Sequence, residues 1–290
     1  MYDNDDYMNK IKAFCNNCSK TAMSCIKIIV LSKFNTKVTK VASSEELVIL
    51  GNGPSLNHTI ENSFGFIKDR RCLAVNFAAN AELFFKLKPE FYVIADPHFF
   101  NAFDQPNVSE LWKVIATKVD WNMTLYIPVG IKNSGKWYDD ANSNTYINIC
   151  RYNLTPVEGF EWFENWAYNT GLGMPRPRNV LIPALMIALR MQFKTIYIAG
   201  ADHSWTKTLS VNDNNEVISV QPHFYEEDET EKKRVKTDYL KYPLYEIMYS
   251  FYVAFKSYFT INRYAAAINA RIFNITPGSF IDAFERMKID

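Results

Sequence analysis

Four short apolar runs, each ending on a glycine or a polar tip, constrain this chain more than any other feature. Leu47 to Leu50 breaks into Gly51-Asn52-Gly53-Pro54-Ser55, and the run from Arg71 to Phe77 ends around Asn76. Phe91 to Pro97 ends on Asp96, and the run opening at Thr195 ends on Gly200-Ala201-Asp202. Apolar runs this short, bounded by turn residues, read as strands buried on both faces. Segments of helical composition separate them: Asn57 to Phe66, Ala78 to Leu87, Ser109 to Val119. The repeated order of strand, polar tip and helix predicts an α/β fold, a mostly parallel Rossmann-like sheet with helices on both faces. Ligands of such sheets bind at the C-terminal ends of the strands. The first turn is neither G-x-G-x-x-G nor G-x-x-x-x-G-K-[ST], so by itself it is a weak nucleotide signal and reads more often as a tight loop after a strand.

Further along, Met123 to Ile127 predicts another strand, and residues 130–156 carry no clear period. Helices are expected over Glu158 to Tyr168, over the almost wholly apolar Asn179 to Phe193, and over Glu246 to Ala270. A last strand and turn follow in Ala270 to Pro277. Residues 206–236 are polar and poor in apolar period, and an insertion of that length beside a site is a candidate lid. These signals divide the chain into an N-terminal appendage, 1–43, and one main domain, 44–290, with a lid over 203–236.

A formal charge of +1 gives no basic face for nucleic acid. Five cysteines form no paired framework, and an odd count favours reduced thiols and a cytoplasmic location. Cys15 and Cys18 make a C-x-x-C with no second pair or nearby histidines to complete a zinc site, so no metal is expected. No apolar run reaches the roughly 20 residues that span a bilayer. Ser24 to Phe34, flanked by Lys20, Lys27, Lys33, Lys37 and Lys40, has two readings. It either lies on an anionic surface such as the inner face of the cytoplasmic membrane, or packs on the main domain.

Asparagine offers a donor and an acceptor together, which suits a base edge, a ribose or a phosphate, but it also caps helices and turns. Asn52 and Asn76 have both readings, and so do the carboxylates of Asp96 and Asp202. Histidine is the side chain most readily poised as a base near neutrality. His203 adjoins the strand tip and His223 lies within the lid segment, whereas His58 and His98 carry no further signal. Arg176 and Arg178, ahead of the apolar helix, either meet an anionic substrate or pair with surface carboxylates.

Taken together, GNGPSL after the first strand, VNF after the second, KTIYIAGAD, and IFNITPGSFIDAF near the C-terminus resemble the bacterial sialyltransferases of glycosyltransferase family 42. The similarity runs over about residues 46–286 and is poor between about 98 and 175. It implies a GT-A-like variant fold with a lid, a CMP-linked sugar as donor, a surface glycan such as a lipooligosaccharide or capsule as acceptor, and inverting, metal-independent transfer without a cofactor. By position, the resemblance assigns Asn52, Asn76, Asn179, Gly200 and Asp202 to the nucleotide; Gly51, Gly53, Ser55, Asp96 and Ser204 complete the expected binding set. The resemblance assigns His223 to the base that deprotonates the acceptor, with His203 as the other candidate, and Arg178 to the catalytic set. A homo-oligomer is a further expectation. Two positions depart from the family: His203-Ser204-Trp205 stands where a tyrosine follows the G-x-D, and Asn179-Val180-Leu181 replaces a Thr-Ser-Gly segment. Two other functions share parts of the pattern. One is a pterin-diphosphokinase-like phosphotransferase using ATP and Mg²⁺; the other is a non-catalytic nucleotide-binding partner in polysaccharide assembly.

Overall fold

The computed structural model describes residues 2–38, 40–41, 45–218 and 240–289. Eight strands form one sheet, and every pairing in it is parallel: β1 (Glu46–Leu50), β2 (Arg71–Val75), β3 (Phe91–Val93), β4 (Met123–Pro128), β5 (Ile147–Tyr152), β6 (Thr195–Ala199), β9 (Arg271–Asn274) and β10 (Glu285–Arg286). Between β6 and β9, β7 (Ser210–Val211) and β8 (Val217–Ile218) form a separate antiparallel pair. The order across the sheet is β10-β9-β6-β1-β2-β3-β4-β5. The chain therefore builds outward in one direction from β1 to β5, then returns to the other side of β1 with β6. That reversal between β1 and β6 is the topological switch point of a doubly wound sheet, and the C-terminal crevice there is where such folds bind ligands.

β1 explains why helices cover both faces. Leu47 and Ile49 join the cluster containing α7 (Glu161–Thr170) and α8 (Leu181–Arg190), while Val48 and Leu50 pack with Leu56 of α2 (Ser55–Lys68). Successive side chains of a strand point to opposite faces, so an unbroken apolar run needs apolar cover on each side. The same logic buries all nine residues from Leu181 to Leu189 in α8. A second cluster under β3 and β4 is closed by α5 (Pro106–Thr117), whose Trp112 is fully buried.

The sequence-based elements differ from the structure in several places; one is the strand β10, which follows the segment expected to end the sheet. Residues 130–156 contain α6 (Lys136–Ser143) and the edge strand β5. β5 hid because it is mostly half-buried and carries polar Asn148 and Arg151 among its apolar residues. The expected helix at Ala78 begins instead as a 3₁₀ turn (Asn76–Asn80) and becomes α3 only at Glu82–Leu87. The appendage is one long helix, α1 (Tyr2–Leu31), docked along one narrow face. Ser24 donates to the Glu158 carbonyl at 2.8 Å, Ser32 donates to the Leu172 carbonyl at 2.6 Å, and Ile28 is buried. Met23, Ile26, Ile29 and Val30 stay exposed on its outer side. No helix among the described residues is long and apolar enough to cross a membrane.

The C-terminal turns of β1 and β6 are fastened to each other. Gly51 N donates to the Ala199 carbonyl at 2.8 Å and Gly53 N to the Gly200 carbonyl at 2.7 Å. A Cβ on Gly51 would lie 2.4 Å from the Gly200 oxygen, so no side chain fits without moving backbone. Gly200 itself has φ +67°, the left-handed region that glycine enters freely. Gly51→Ala should therefore lower the unfolding free energy by about 3 kcal/mol in urea denaturation. A loss under about 0.5 kcal/mol, the range of an ordinary surface change, would show that the two turns do not need this contact.

Candidate functional site

A cleft of about 1000 Å³ opens at the switch point. Its walls are the turn after β1 (Asn52, Gly53), the tip of β2 (Asn76), the tip of β3 (Asp96), the segment after β6 (Asp202 to Trp205) and the approach to α8 (Arg178, Asn179). Of the nucleotide set expected from sequence, Asn52, Gly53, Asn76, Asp96, Asn179, Asp202 and Ser204 line it, with His203 and Arg178. Gly51, Ser55 and Gly200 stand behind this wall and shape it. His223 and residues 219–236 of the lid segment lie outside the described residues.

Asp202 is spoken for. Its Oδ2 accepts from Ser55 Oγ at 2.7 Å and from Ser55 N at 3.4 Å, so it caps the start of α2 from across the switch point. Gly53 permits this, since a Cβ there would sit 1.9 Å from the same oxygen. The positive end of α2 thus already holds an internal anion, in the place where many doubly wound folds hold phosphate. Asp96 is similarly engaged: its Oδ1 accepts the His98 N–H at 2.8 Å and opens the short helix α4 (His98–Asn101).

Three amide side chains in the cleft are left incomplete. Asn52 Nδ2 donates to the Val75 carbonyl at 3.3 Å, while its Oδ1 is buried with no partner among the described residues. Asn76 has φ +49°, a conformation asparagine tolerates better than most residues. Tyr92 holds that turn, accepting from Ala79 N at 3.1 Å and donating to the Asn76 carbonyl. The Asn76 Oδ1 is likewise buried and unpartnered. Asn179 Oδ1 accepts the Leu181 N–H at 3.1 Å at the start of α8 and the Tyr258 hydroxyl at 3.0 Å, leaving its Nδ2 buried and unpartnered. A buried polar group without a partner costs about 1–3 kcal/mol, so three at one site call for a ligand or water that supplies the missing bonds.

Tyr258, from α9 (Leu244–Ala267), settles the state of His203. A backbone N–H can only donate, so the Asn179 atom facing Leu181 is the carbonyl oxygen, and the Tyr258 proton must point to it. At 3.0 Å from Tyr258 Oη, His203 Nδ1 is then the donor, and the lone pair sits on Nε2. The ring stacks on Trp205 with centroids 4.3 Å apart and lies beside Tyr258 at 5.6 Å. Burial pushes the imidazole down from 6.5 to about 3, so it is neutral at pH 7.

Tyr258 escaped the sequence reading, and the ITPGSF segment was visible only as a motif, without its structural role. Tyr258 lies 55 residues from His203 on a helix rich in aromatics, with no local signal to mark it. The C-terminal ITPGSF braces the tip of β6: Ser279 Oγ donates to the Ala201 carbonyl at 2.7 Å, and Thr276 Oγ1 accepts Ala201 N at 3.1 Å. Arg176 is drawn away, paired to Glu158 at 2.7 Å, whereas the exposed Arg178 guanidinium has no ion-pair partner among the described residues.

No family model matches the chain, and no curated protein does. Among solved structures it is similar to the MAf glycosyltransferase from Magnetospirillum magneticum AMB-1, at 13% identity with a TM-score of 0.48. The alignment covers 94% of this chain and 38% of that one.

His203 makes stability depend on pH. Its folded pKa of about 3 lies below the unfolded 6.5, so between these values the unfolded chain binds a proton that the folded chain refuses. Stability should fall as pH drops through that window, by at most about 1.4 kcal/mol per unit. In urea titrations at pH 7 and pH 5, wild type should lose more stability than His203→Gln. Equal losses would mean that the ring is protonated as readily in the fold as outside it.

Proposed function

We propose that the switch-point cleft binds a nucleotide-linked sugar and that the protein transfers the sugar to a glycan acceptor. The observation that carries this reading is the set of three incomplete amides: two acceptors, on Asn52 and Asn76, and one donor, on Asn179. Ribose hydroxyls or an exocyclic base amine supply the donors that the two carbonyls lack, and a base carbonyl or phosphate oxygen supplies the acceptor for Asn179. Arg178, at the cleft with no ion-pair partner among the described residues, meets the anionic part of the donor. Because Asp202 fills the start of α2, the first glycine turn holds the nucleoside, and the phosphate lies toward Arg178.

In this proposal the donor is a CMP-linked, sialic-acid-like sugar, and transfer inverts the anomeric centre without a metal. Cytosine presents both an exocyclic amine and a carbonyl, and a single phosphate needs only one cationic contact. The acceptor hydroxyl loses its proton to a histidine, His203 or His223, as the bond to the leaving CMP breaks. His203 offers a fixed Nε2 lone pair, but a ring held near 3 is a weak base. An anionic donor beside the ring raises its pKa toward the working range, so its basicity depends on donor binding.

Thermal unfolding with CMP, CDP, UDP, GDP and ATP, with and without Mg²⁺, tests the donor class, since a ligand bound only by the folded state raises the apparent Tm. CMP without metal should raise Tm, and Asn52→Ala combined with Asn76→Ala should remove most of that rise. Stabilisation by ATP alone, and only with Mg²⁺, would contradict the proposal in favour of phosphoryl transfer.

A further inference from the structure

The switch-point cleft does not end at Arg178. Arg178 and Tyr242 also line a second cavity of about 520 Å³, whose far wall is Tyr249. Tyr249 in turn lines a third, of about 380 Å³, with Tyr252 and Lys256. Glu246, Tyr249, Val253, Lys256 and Thr260 follow one another at steps of three and four, which places them along one face of α9, with Tyr242 on the approach just before it. From Glu246 to Thr260 that face is about 21 Å long at 1.5 Å per residue. The three cavities therefore share lining residues in turn and follow α9 away from the cleft.

The groove has a definite chemistry. Tyr242, Tyr249 and Tyr252 are each more than half exposed, and Tyr249 and Tyr252 stack with centroids 6.2 Å apart. Exposed aromatic patches of this kind are rarely idle. A tyrosine is a rigid, amphipathic plate that loses little entropy on binding, and its face suits the C–H side of a pyranose ring while its hydroxyl suits the ring's edge. Glu246 and Ser250 add polar groups to the middle cavity. At the far end, Arg176 is paired to Glu158 and Arg263 to Glu164. Lys20 and Lys256 also line that cavity; neither makes an ion pair within 4 Å among the described residues, though both act on Glu158 at longer range and Lys256 lies over the Tyr252 ring at 5.8 Å.

We propose that the groove along α9 holds the acceptor, an acidic oligosaccharide whose outer sugars stack on Tyr249 and Tyr252, with its carboxylate or phosphate at Lys20 and Lys256 and its reacting end past Tyr242 at Arg178. This rests on the transfer reading of the cleft and goes beyond it by assigning the acceptor class and its path.

Binding to a printed oligosaccharide array, with each chain present in neutral and carboxylated form, tests the assignment. Wild type should retain carboxylated chains best. Tyr249→Ala with Tyr252→Ala should weaken retention by about tenfold or more, while the paired Phe variants keep it. Lys256→Gln should remove the preference for carboxylated over neutral chains. CMP should still raise the Tm of every variant, which separates this test from that of the cleft. If CMP stabilises all variants but the Ala pair binds glycans as wild type does, the groove is not the acceptor track. The groove is equally excluded as that track if wild type retains no chain, or if the Ala pair changes only the oligomeric state in sedimentation. Loss of CMP stabilisation in wild type itself would instead remove the transfer reading.

Discussion

The structure depends on one contact, the seam between the turns that end β1 and β6. At the point where the sheet changes direction, two backbone hydrogen bonds join Gly51 to Ala199 and Gly53 to Gly200. Asp202 crosses the same seam to Ser55. Glycines are needed on both sides because the backbones approach within the space of a side chain. Moving this seam would at once shift the start of α2, the tip of β6 and the wall of the cleft between them.

That seam also redistributes the chemistry of the cleft. A carboxylate from the tip of β6 neutralises the helix start that a glycine-rich turn offers to phosphate in other doubly wound folds. The polar capacity that remains is carried by side chains: Asn52, Asn76 and Asn179 each have one buried group without a partner among the described residues. His203 is fixed through Tyr258 to the same Asn179, so the neutral imidazole, the incomplete amide and the start of α8 form one hydrogen-bonded unit. A ligand that completes Asn179 therefore acts on the position of His203 as well.

Much of the fold was legible because a parallel strand covered on both faces must be apolar throughout, and the runs at Leu47, Arg71, Phe91 and Thr195 meet that demand. Their polar tips located four walls of the cleft. β5 was not legible, since an edge strand is covered less completely and its apolar run is broken by Asn148 and Arg151. For Asp202 the capping reading applies, but the helix it caps is 147 residues away in sequence, α2 rather than its own successor. The role of Tyr258 depends on the packing of α9 against α8, and nothing in the local pattern of an aromatic-rich helix distinguishes it from Tyr249 or Tyr264. The ITPGSF segment was visible as a motif, but its work as a brace behind Ala201 follows only from the pairing of β9 with β6.

In the proposed function the nucleoside sits across the tips of β1, β2 and β6 and the start of α8. Hydrogen–deuterium exchange with and without CMP tests its location directly. Bound CMP should slow exchange at residues 51–55, 75–79, 178–182 and 200–204 together, while the far edge at β5 is unchanged. Protection confined to one of these segments, or falling outside them, would contradict the account.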